Sequence, residues 1–384
     1  MKTLLRSLVL AALVAGAGCA SSNSDRRPVL TGDPEVDLMN SIAASPRQDR
    51  VLIEYRYAAT ALRHARFDRA QKLLDESLAR IGGIVATDAD ARKARSLFHS
   101  ESKKVFIGEP YERVMAYFYR GMLYWMEGEP DNARACFRSA QLQDADVENK
   151  TYAADYVLLD YLDGLITSRM GDDGNDRLNQ AKANAKNLSL PPYNPKANVF
   201  VFMEFGHGPL KYATGEYAQE LRFSPGAPSA NAIVLRLGEQ SYNLAAYDDL
   251  YWQATTRGGR VMDHILGNKA VFKTTTDVVG NVAIVGGAAT ALASRDRNVQ
   301  AAGLGIALAG VAAKILSASV TPAADTRCWD NLPQYLSFAA LVLPPGRQSL
   351  TVEFRGAGAT AKQVDFTVPS DGKDVVLFVS ELNN

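Results

Sequence analysis

The pattern of apolar residues changes near residue 189, and this change constrains the fold more than any other feature of the chain. Helix-forming residues dominate from about residue 46 to residue 188, and runs typical of strands are absent there. Beyond that point the chain carries short apolar runs separated by turns rich in Pro, Gly, Asp and Ser. We therefore expect an α+β protein with a helical domain at 46–188 and a β-rich domain at 189–384.

Six runs in the second half have the length and composition of strands. The alternation in Ser349-Leu350-Thr351-Val352-Glu353-Phe354 is typical of a strand with one buried face. The most economical packing is an antiparallel sheet or a small sandwich. The runs are NVFVFMEFGHGPLKY, NAIVLRL, YLSFAALVL, QSLTVEF, KQVDFTV and DVVLFVS. Between the second and third of them we expect a helical insertion at 241–319.

The insertion contains a Gly/Ala-rich stretch at 277–318 that reads as an antiparallel helical hairpin. Its two apolar segments, 278–294 and 301–318, are near the lower length limit for crossing a bilayer. A seven-residue step returns to nearly the same face of a helix, so paired glycines would give each segment a smooth groove. Two interpretations stay open: a buried or oligomer-packing hairpin, and insertion into a membrane. The paired glycines are Gly280 with Gly287 and Gly303 with Gly310.

The N-terminus has the features of an export signal. Basic residues precede a short apolar run, and Gly16-Ala17-Gly18 leads directly to Cys19. This resembles the lipobox of bacterial lipoproteins, which implies cleavage after residue 18 and lipid on the Cys19 thiol; ordinary signal cleavage is the alternative. No Asp follows Cys19, so we expect an anchor in the outer membrane with the protein facing the periplasm. Residues 19–45 read as a flexible tether.

Composition fits an exported globular protein. Removing residues 1–18 takes away two basic residues and leaves a net charge of −2 over 366 residues. That balance excludes the basic surface typical of proteins that bind nucleic acid. Cys136 and Cys328 could pair in an oxidising compartment, although two buried free thiols are the favoured interpretation.

The segment YFYRGMLYWMEGEPDNARACFRSAQLQDA is similar to a tetratricopeptide repeat, a helix-turn-helix unit of about 34 residues. The residues that match its spacing are Gly121, Tyr124, Gly128, Ala133, Phe137 and Ala140. Looser matches fall around Ala58 and around Gly164 with Gly171. Stacks of such units usually bind partners, and we expect Tyr117, Tyr124 and Arg134 to contact one. The alternative is that the stack only braces the β-rich domain.

The chain as a whole resembles a family of bacterial tetratricopeptide lipoproteins without an assigned reaction. Two boxes carry the resemblance: FGHGPLK, which ends at Lys211, and DTRCWDNLP, which includes Arg327 and Trp329. His207 departs from the family pattern of the first box. Genes of this family commonly accompany lipoproteins related to curli export, so the resemblance implies a role in the envelope or in surface assembly, and it names no substrate.

No pattern in the sequence predicts catalysis. The four histidines are scattered, and no metal-ligand spacing, nucleophile elbow or phosphate loop is present. We therefore expect no enzyme activity, no cofactor and no metal. His207, Lys211, Arg327 and Trp329 are candidate ligand-binding residues, since a cation and an indole can grip an anionic or sugar ligand. The alternative is structural, with Asp325 pairing with Arg327 while Trp329 anchors the chain.

Three functions remain open on the sequence. The leading one is a lipid-anchored scaffold of the cell envelope that binds protein partners, with self-association as a further option. The second is a membrane-inserting or pore-forming protein that acts through residues 277–318. The third is a module or enzyme that acts on cell-wall glycans, with Asp248 and Asp249 as auxiliary carboxylates.

Overall fold

The computed structural model describes residue 31 and residues 34–85, 105–145, 152–186, 188–191, 193–194, 196–256 and 323–383. The helices in these ranges are α1 Pro34–Ala44, α2 Arg50–Arg63, α3 Phe67–Val85, α4 Pro110–Met126, α5 Pro130–Asp144, α6 Val157–Arg169, α7 Asn175–Ala185 and α8 Leu250–Thr255. The strands are β1 Val199–His207, β2 Leu210–Thr214, β3 Glu220–Ser224, β4 Ala230–Leu237, β5 Gln240–Leu244, β6 Asp248–Asp249, β7 Pro333–Leu341, β8 Gly346–Gly356, β9 Thr360–Val368 and β10 Val375–Ser380. The expected α+β class, with helices first and strands second, is confirmed.

The described strands form two four-stranded sheets and one two-stranded ribbon. The central sheet has the order β10-β1-β7-β6, the outer sheet has the order β5-β4-β8-β9, and β2 pairs with β3. Pairing is antiparallel except between β1 and β10, which run parallel. All six runs that the sequence marks as strands lie in these sheets.

Strand β1 lies between the helices and the outer sheet, and both of its faces are apolar and covered. Val199, Val201 and Met203 point into a core shared with the outer sheet. On the opposite face, Phe200 packs on the Trp125 ring of α4. A strand covered on both sides needs a continuous apolar run rather than an alternating one, which explains the sequence VFVFMEF. The described elements from Gln48 onward are thus layered as helices, central sheet and outer sheet.

Six of the described helices form three pairs in chain order, α2–α3, α4–α5 and α6–α7. The first helix of each pair packs against the central sheet, α2 and α4 against β10 and α6 against β7. The turns between paired helices are alike, since Ala65, Gly128 and Gly171 occupy equivalent places and all have a positive φ. A left-handed residue at the end of a helix lets the chain reverse within a few residues.

The two helices of the α4–α5 pair approach most closely at Gly121. A Cβ atom built there would lie 2.8 Å from Cε1 of Phe137, which is fully buried. We expect Gly121→Ala to lower the free energy of unfolding by about 1–3 kcal/mol, the usual cost of overpacking a core. Gly82→Ala is the matched control, because no atom of the described residues lies within 4 Å of its added Cβ and alanine favours a helix by up to about 1 kcal/mol. Urea unfolding of both variants checks this, and equal effects would contradict it.

Two boundaries drawn from the sequence need correction. Helix α1 lies inside the stretch 19–45 that reads as a tether; Pro34 suits a first helical turn, and Thr31 donates to the Asp37 carboxylate at 2.5 Å and 2.9 Å. The insertion drawn at 241–319 begins too early, because Gln240–Leu244 is strand β5. Gly238, at a positive φ of 56°, allows the two-residue turn that pairs β5 with β4.

The chain divides into two compact units, 1–47 and 48–384. The boundary expected at residue 188 falls between α7 and β1, and the helices and strands on its two sides belong to the second unit. None of the described helices combines the length and the apolar character needed to span a bilayer.

Candidate functional site

The two sequence boxes meet in space. His207 at the end of β1 pairs with Pro333 at the start of β7, and the Gly208 amide donates to the Leu332 carbonyl at 2.9 Å. The Lys211 ammonium donates to the Arg327 carbonyl at 2.9 Å. Residues more than a hundred positions apart therefore form one junction at the rim of the central sheet.

Glu112, near the start of α4, is the centre of this junction. Its fully buried carboxylate accepts from the Lys211 ammonium at 2.5 Å, from the Trp329 amide at 2.7 Å and from the Glu109 amide at 2.6 Å. Burial raises the pKa of Glu112, and the charge of Lys211 acts in the opposite direction. The Glu112 carboxylate thus caps the first turn of α4 and also binds one residue of each box, Lys211 and Trp329.

Arg327 and Trp329 are held by the fold itself. The Arg327 guanidinium pairs with Asp325 at 2.6 Å and with Asp49 at 2.7 Å. The Trp329 indole is fully buried and stacks on the Tyr55 ring of α2, with centroids 4.3 Å apart. The pair between Asp325 and Arg327 that the sequence suggested is present, and Trp329 joins the second box to α2.

A shallow hollow of 510 Å³ opens beside this junction, and its floor includes Lys211 and Arg327. Its charges are balanced locally, since Arg56 on its rim also pairs with Asp330 at 2.8 Å. His207 is partly exposed at the end of β1. The geometry is that of a brace between helices and sheet rather than a pocket that encloses a ligand.

The two cysteines of the described region are free thiols. Cys328 is buried against the Tyr111 hydroxyl and the Pro209 carbonyl. Burial raises the pKa of both Cys136 and Cys328 to about 11. Since the thiolate is the reactive form, neither thiol is prepared for nucleophilic chemistry.

The expected partner-binding residues lie on two surfaces. Tyr117 and Tyr124 are partly exposed on α4, and the Arg120 guanidinium lies 3.4 Å above the Tyr124 ring. Arg134 lies on α5, where it contacts the Thr167 hydroxyl of α6 at 3.4 Å. Gly121, Gly128, Ala133 and Phe137 are packing and turn residues of the α4–α5 pair, with Ala133 and Phe137 fully buried. Cys19 and Gly280, Gly287, Gly303 and Gly310 lie outside the described residues.

Asp248 has a role that the sequence did not reveal. Its carboxylate accepts from the backbone amides of Val157 at 2.7 Å and Leu158 at 3.0 Å, and so caps α6 from a distant strand. Burial raises the pKa of Asp248 to about 7, and burial raises that of Asp160 on α6 to about 6. In the sequence, Asp248 stands just before the short helix α8. That position does not indicate that its carboxylate caps a different helix, α6.

These two carboxyls predict that mild acid stabilises the protein. In the unfolded chain both titrate near pH 4, so between about pH 4 and pH 7 the folded protein binds more protons than the unfolded chain. The free energy of unfolding should therefore rise as the pH falls from 8 to 5, and Asp248→Asn should flatten that rise. Thermal unfolding across this range checks it, with exposed Asp172→Asn as control. A rise that Asp248→Asn leaves unchanged would contradict the role assigned to Asp248.

Within the ranges that the structure covers, no cluster of His, Cys, Asp and Glu side chains is arranged to hold a metal ion. Comparison with known proteins gives no further identification: no family model, no curated protein and no solved structure matches this chain.

Proposed function

We propose that this protein is a lipid-anchored, non-enzymatic scaffold of a bacterial cell envelope that binds a protein partner through its helical pairs. The lipobox ending at Cys19 supports the anchor, and the serial helical pairs support the scaffold. Lys211 and Arg327, one from each box, are both paired with carboxylates of this chain, which supports a structural role for these two residues.

One observation carries the partner-binding part of the proposal. On α4, the residues that meet the central sheet, such as Phe118 and Trp125, occupy one face of the helix. Arg113, Tyr117, Arg120 and Tyr124 follow one another at steps of four, three and four, which places them in a line on the opposite face. We name these four residues the α4 stripe.

The α4 stripe lies between two neighbouring helices. Arg120 pairs with Asp75 of α3 at 2.7 Å, and the Arg113 guanidinium donates to the Gln143 side chain of α5 at 2.6 Å. Tyrosine and arginine are the residue types most enriched at the energetic centres of protein interfaces. Arg113 and Arg120 are themselves buried, so the stripe offers a partner the partly exposed rings of Tyr117 and Tyr124, with Arg120 holding the Tyr124 ring in place.

The tetratricopeptide resemblance helps to choose the docking side. Stacks of such repeats usually bind partners on their concave face, but here the first helix of every pair packs on the protein's own sheet. If the pairs are such repeats, the sheet occupies that face, and a partner is left with the side of α4 that faces away from the sheet, where Tyr117 and Tyr124 are partly exposed.

Site-specific photo-crosslinking in the envelope tests the docking surface. We expect a crosslinking amino acid at Tyr117 or Tyr124 to give a discrete adduct with an envelope protein. The control position is Tyr242, an exposed tyrosine on β5 at the edge of the outer sheet. Adducts from Tyr242 but none from the stripe would reject the stripe as the docking surface.

The anchor is tested separately by fractionating the envelope after labelling with a fatty acid. The wild-type protein should carry the label and sediment with the outer membrane, whereas Cys19→Ser should lose the label and appear in the soluble periplasmic fraction. A Cys19→Ser protein that still carries the label would reject the lipid assignment.

A further inference from the structure

A second concave feature is lined by residues outside the two boxes. It is a cleft of 370 Å³ between the start of α6, the end of α7 and the β6–α8 segment. The lining side chains that matter below are Tyr152, Asp155, Lys186, Asp248, Asp249 and Trp252. None of them belongs to the α4 stripe or to the junction of the boxes.

Trp252 forms a fixed aromatic wall of this cleft. It is 43% exposed, yet its ring meets the Tyr152 ring edge to face with centroids 5.5 Å apart. Its side chain also hydrogen-bonds to the Asp155 carboxylate, which accepts from the Gln253 amide at 2.8 Å as well. Asp249 caps the helix that carries Trp252, through the Tyr251 amide at 2.9 Å. An exposed indole held in this way loses little side-chain freedom when a ligand packs on it.

The charge of the cleft favours a cation. The carboxylates of Asp155 and Asp249 line it, and Lys186 is the only basic residue among the described residues of its lining. Asp248 also lines it, but this side chain is buried and both of its oxygens accept from α6 amides. A cation placed over an indole face gains further from the electrons of the ring. The carboxylates accept hydrogen bonds, so a primary ammonium, which donates three, suits the cleft better than a quaternary one.

Lys186 shows that an ammonium group reaches this wall. Its Nζ lies 5.7 Å from the centroid of the Trp252 ring. Lys186 follows the last residue of α7 with a φ of 54° and a ψ of −99°, a backbone conformation that costs energy for a residue other than glycine. The side chain is exposed and so can leave the ring when another cation arrives.

We propose that this cleft binds a primary ammonium group, placed between the Trp252 ring and the Asp155 carboxylate, and that Lys186 occupies the same position when no ligand is bound. The ammonium is presented either by a lysine side chain of a partner protein or by a small alkylamine. This assignment is independent of the α4 stripe, since the two surfaces share no residue.

Calorimetric titration of the purified full chain tests the proposal. The probe is Nα-acetyl-lysine methylamide, and its Nε-acetylated form, which lacks the charge, is the matched ligand control. We expect the charged probe to bind and the acetylated one to bind at least about 5-fold more weakly. Equal binding of the two, or no binding of either, would overturn the proposal.

Four variants locate the site. Trp252→Ala should weaken binding by about 5-fold or more, Tyr242→Ala should leave it unchanged, and Lys186→Met should tighten it about 2–5-fold because an internal competitor is removed. Circular dichroism of Trp252→Ala shows whether the fold is kept, and Trp252→Phe, which retains a ring, should recover part of the affinity. An unchanged affinity in folded Trp252→Ala would overturn the assignment, and weaker binding by Lys186→Met would overturn the role given to Lys186.

Butylamine distinguishes the two sources of the ammonium. If butylamine and the lysine probe bind equally, the cleft recognises the ammonium alone, and a small amine is the ligand class. If only the lysine probe binds, the flanking amides contribute and the source is a lysine of a partner protein.

Discussion

Replacing Glu204 with leucine is expected to lower the free energy of unfolding by about 3–5 kcal/mol, the usual cost of breaking a buried ion pair by removing one partner. Glu204 lies on the helix-facing side of β1, where it pairs with Arg63 of α2 at 2.7 Å, and both side chains are only 1% exposed. Its carboxylate also accepts from the Tyr119 hydroxyl of α4 and from the Ser380 hydroxyl of β10 at 2.6 Å. One side chain therefore joins two helices to two strands.

We expect a large loss of stability because the buried charge of Arg63 remains after its carboxylate partner is removed. In Glu204→Leu the Arg63 guanidinium stays in a site that excludes water, without the carboxylate that compensates it. The double variant Arg63→Met with Glu204→Leu removes both charges and should recover much of the lost stability. Glu353→Gln, which breaks an exposed pair with Arg236 on the outer sheet, should barely change it. Urea unfolding measures all three; a double variant no more stable than Glu204→Leu would show that the uncompensated charge is not the cause.

Trp329→Ala should lower the free energy of unfolding by a similar amount, about 3–5 kcal/mol, because it leaves a cavity where a large aromatic ring was buried. The indole is enclosed by the stacked Tyr55 ring and by the edge of Tyr119, 6.1 Å away between centroids. Both of these tyrosines lie on helices, whereas Trp329 lies in the segment that leads into β7. Losing the indole therefore loosens the attachment of the second box to the helical layer.

Trp252→Ala is the matched comparison, since it removes the same side chain from a site where 43% of it is exposed. We expect the loss of stability to be several times smaller than for Trp329→Ala. Thermal unfolding of the two variants under one set of conditions makes the comparison. Equal losses would contradict the assignment of Trp329 to the core and return it to the candidate ligand-binding residues.

The elements with a strong local pattern could be predicted from the sequence. The continuous run from Val199 to Phe205 reads as a strand because every residue in it is apolar except Glu204, and the structure shows it covered on both faces. The alternation of polar and apolar residues around Val352 likewise predicts strand β8. The helical pairs could be located because Gly128 and Pro130 end one helix and begin the next, a purely local effect.

Contacts between distant segments could not be predicted. Nothing local to Lys211 or Arg327 says that the two boxes meet, or that Glu112 bridges them, because this depends on how β1 and β7 pair. The residues of strand β5 suit either a helix or a strand, and the Gly238 turn decides between them. The aromatic wall at Trp252 could not be predicted either, because Tyr152 and Lys186, which contact it, lie on other elements.

Native-state hydrogen exchange is the most direct test of the central claim, that helices and sheets from Gln48 onward form one cooperative unit closed around β1. We predict that the slowest amides of β1 and of α4 exchange only on global unfolding, with the same free energy, and that Glu204→Leu lowers both by the same amount. Two distinct free energies, with the α4 amides unaffected by Glu204→Leu, would contradict the claim and support two independent domains that divide near residue 188.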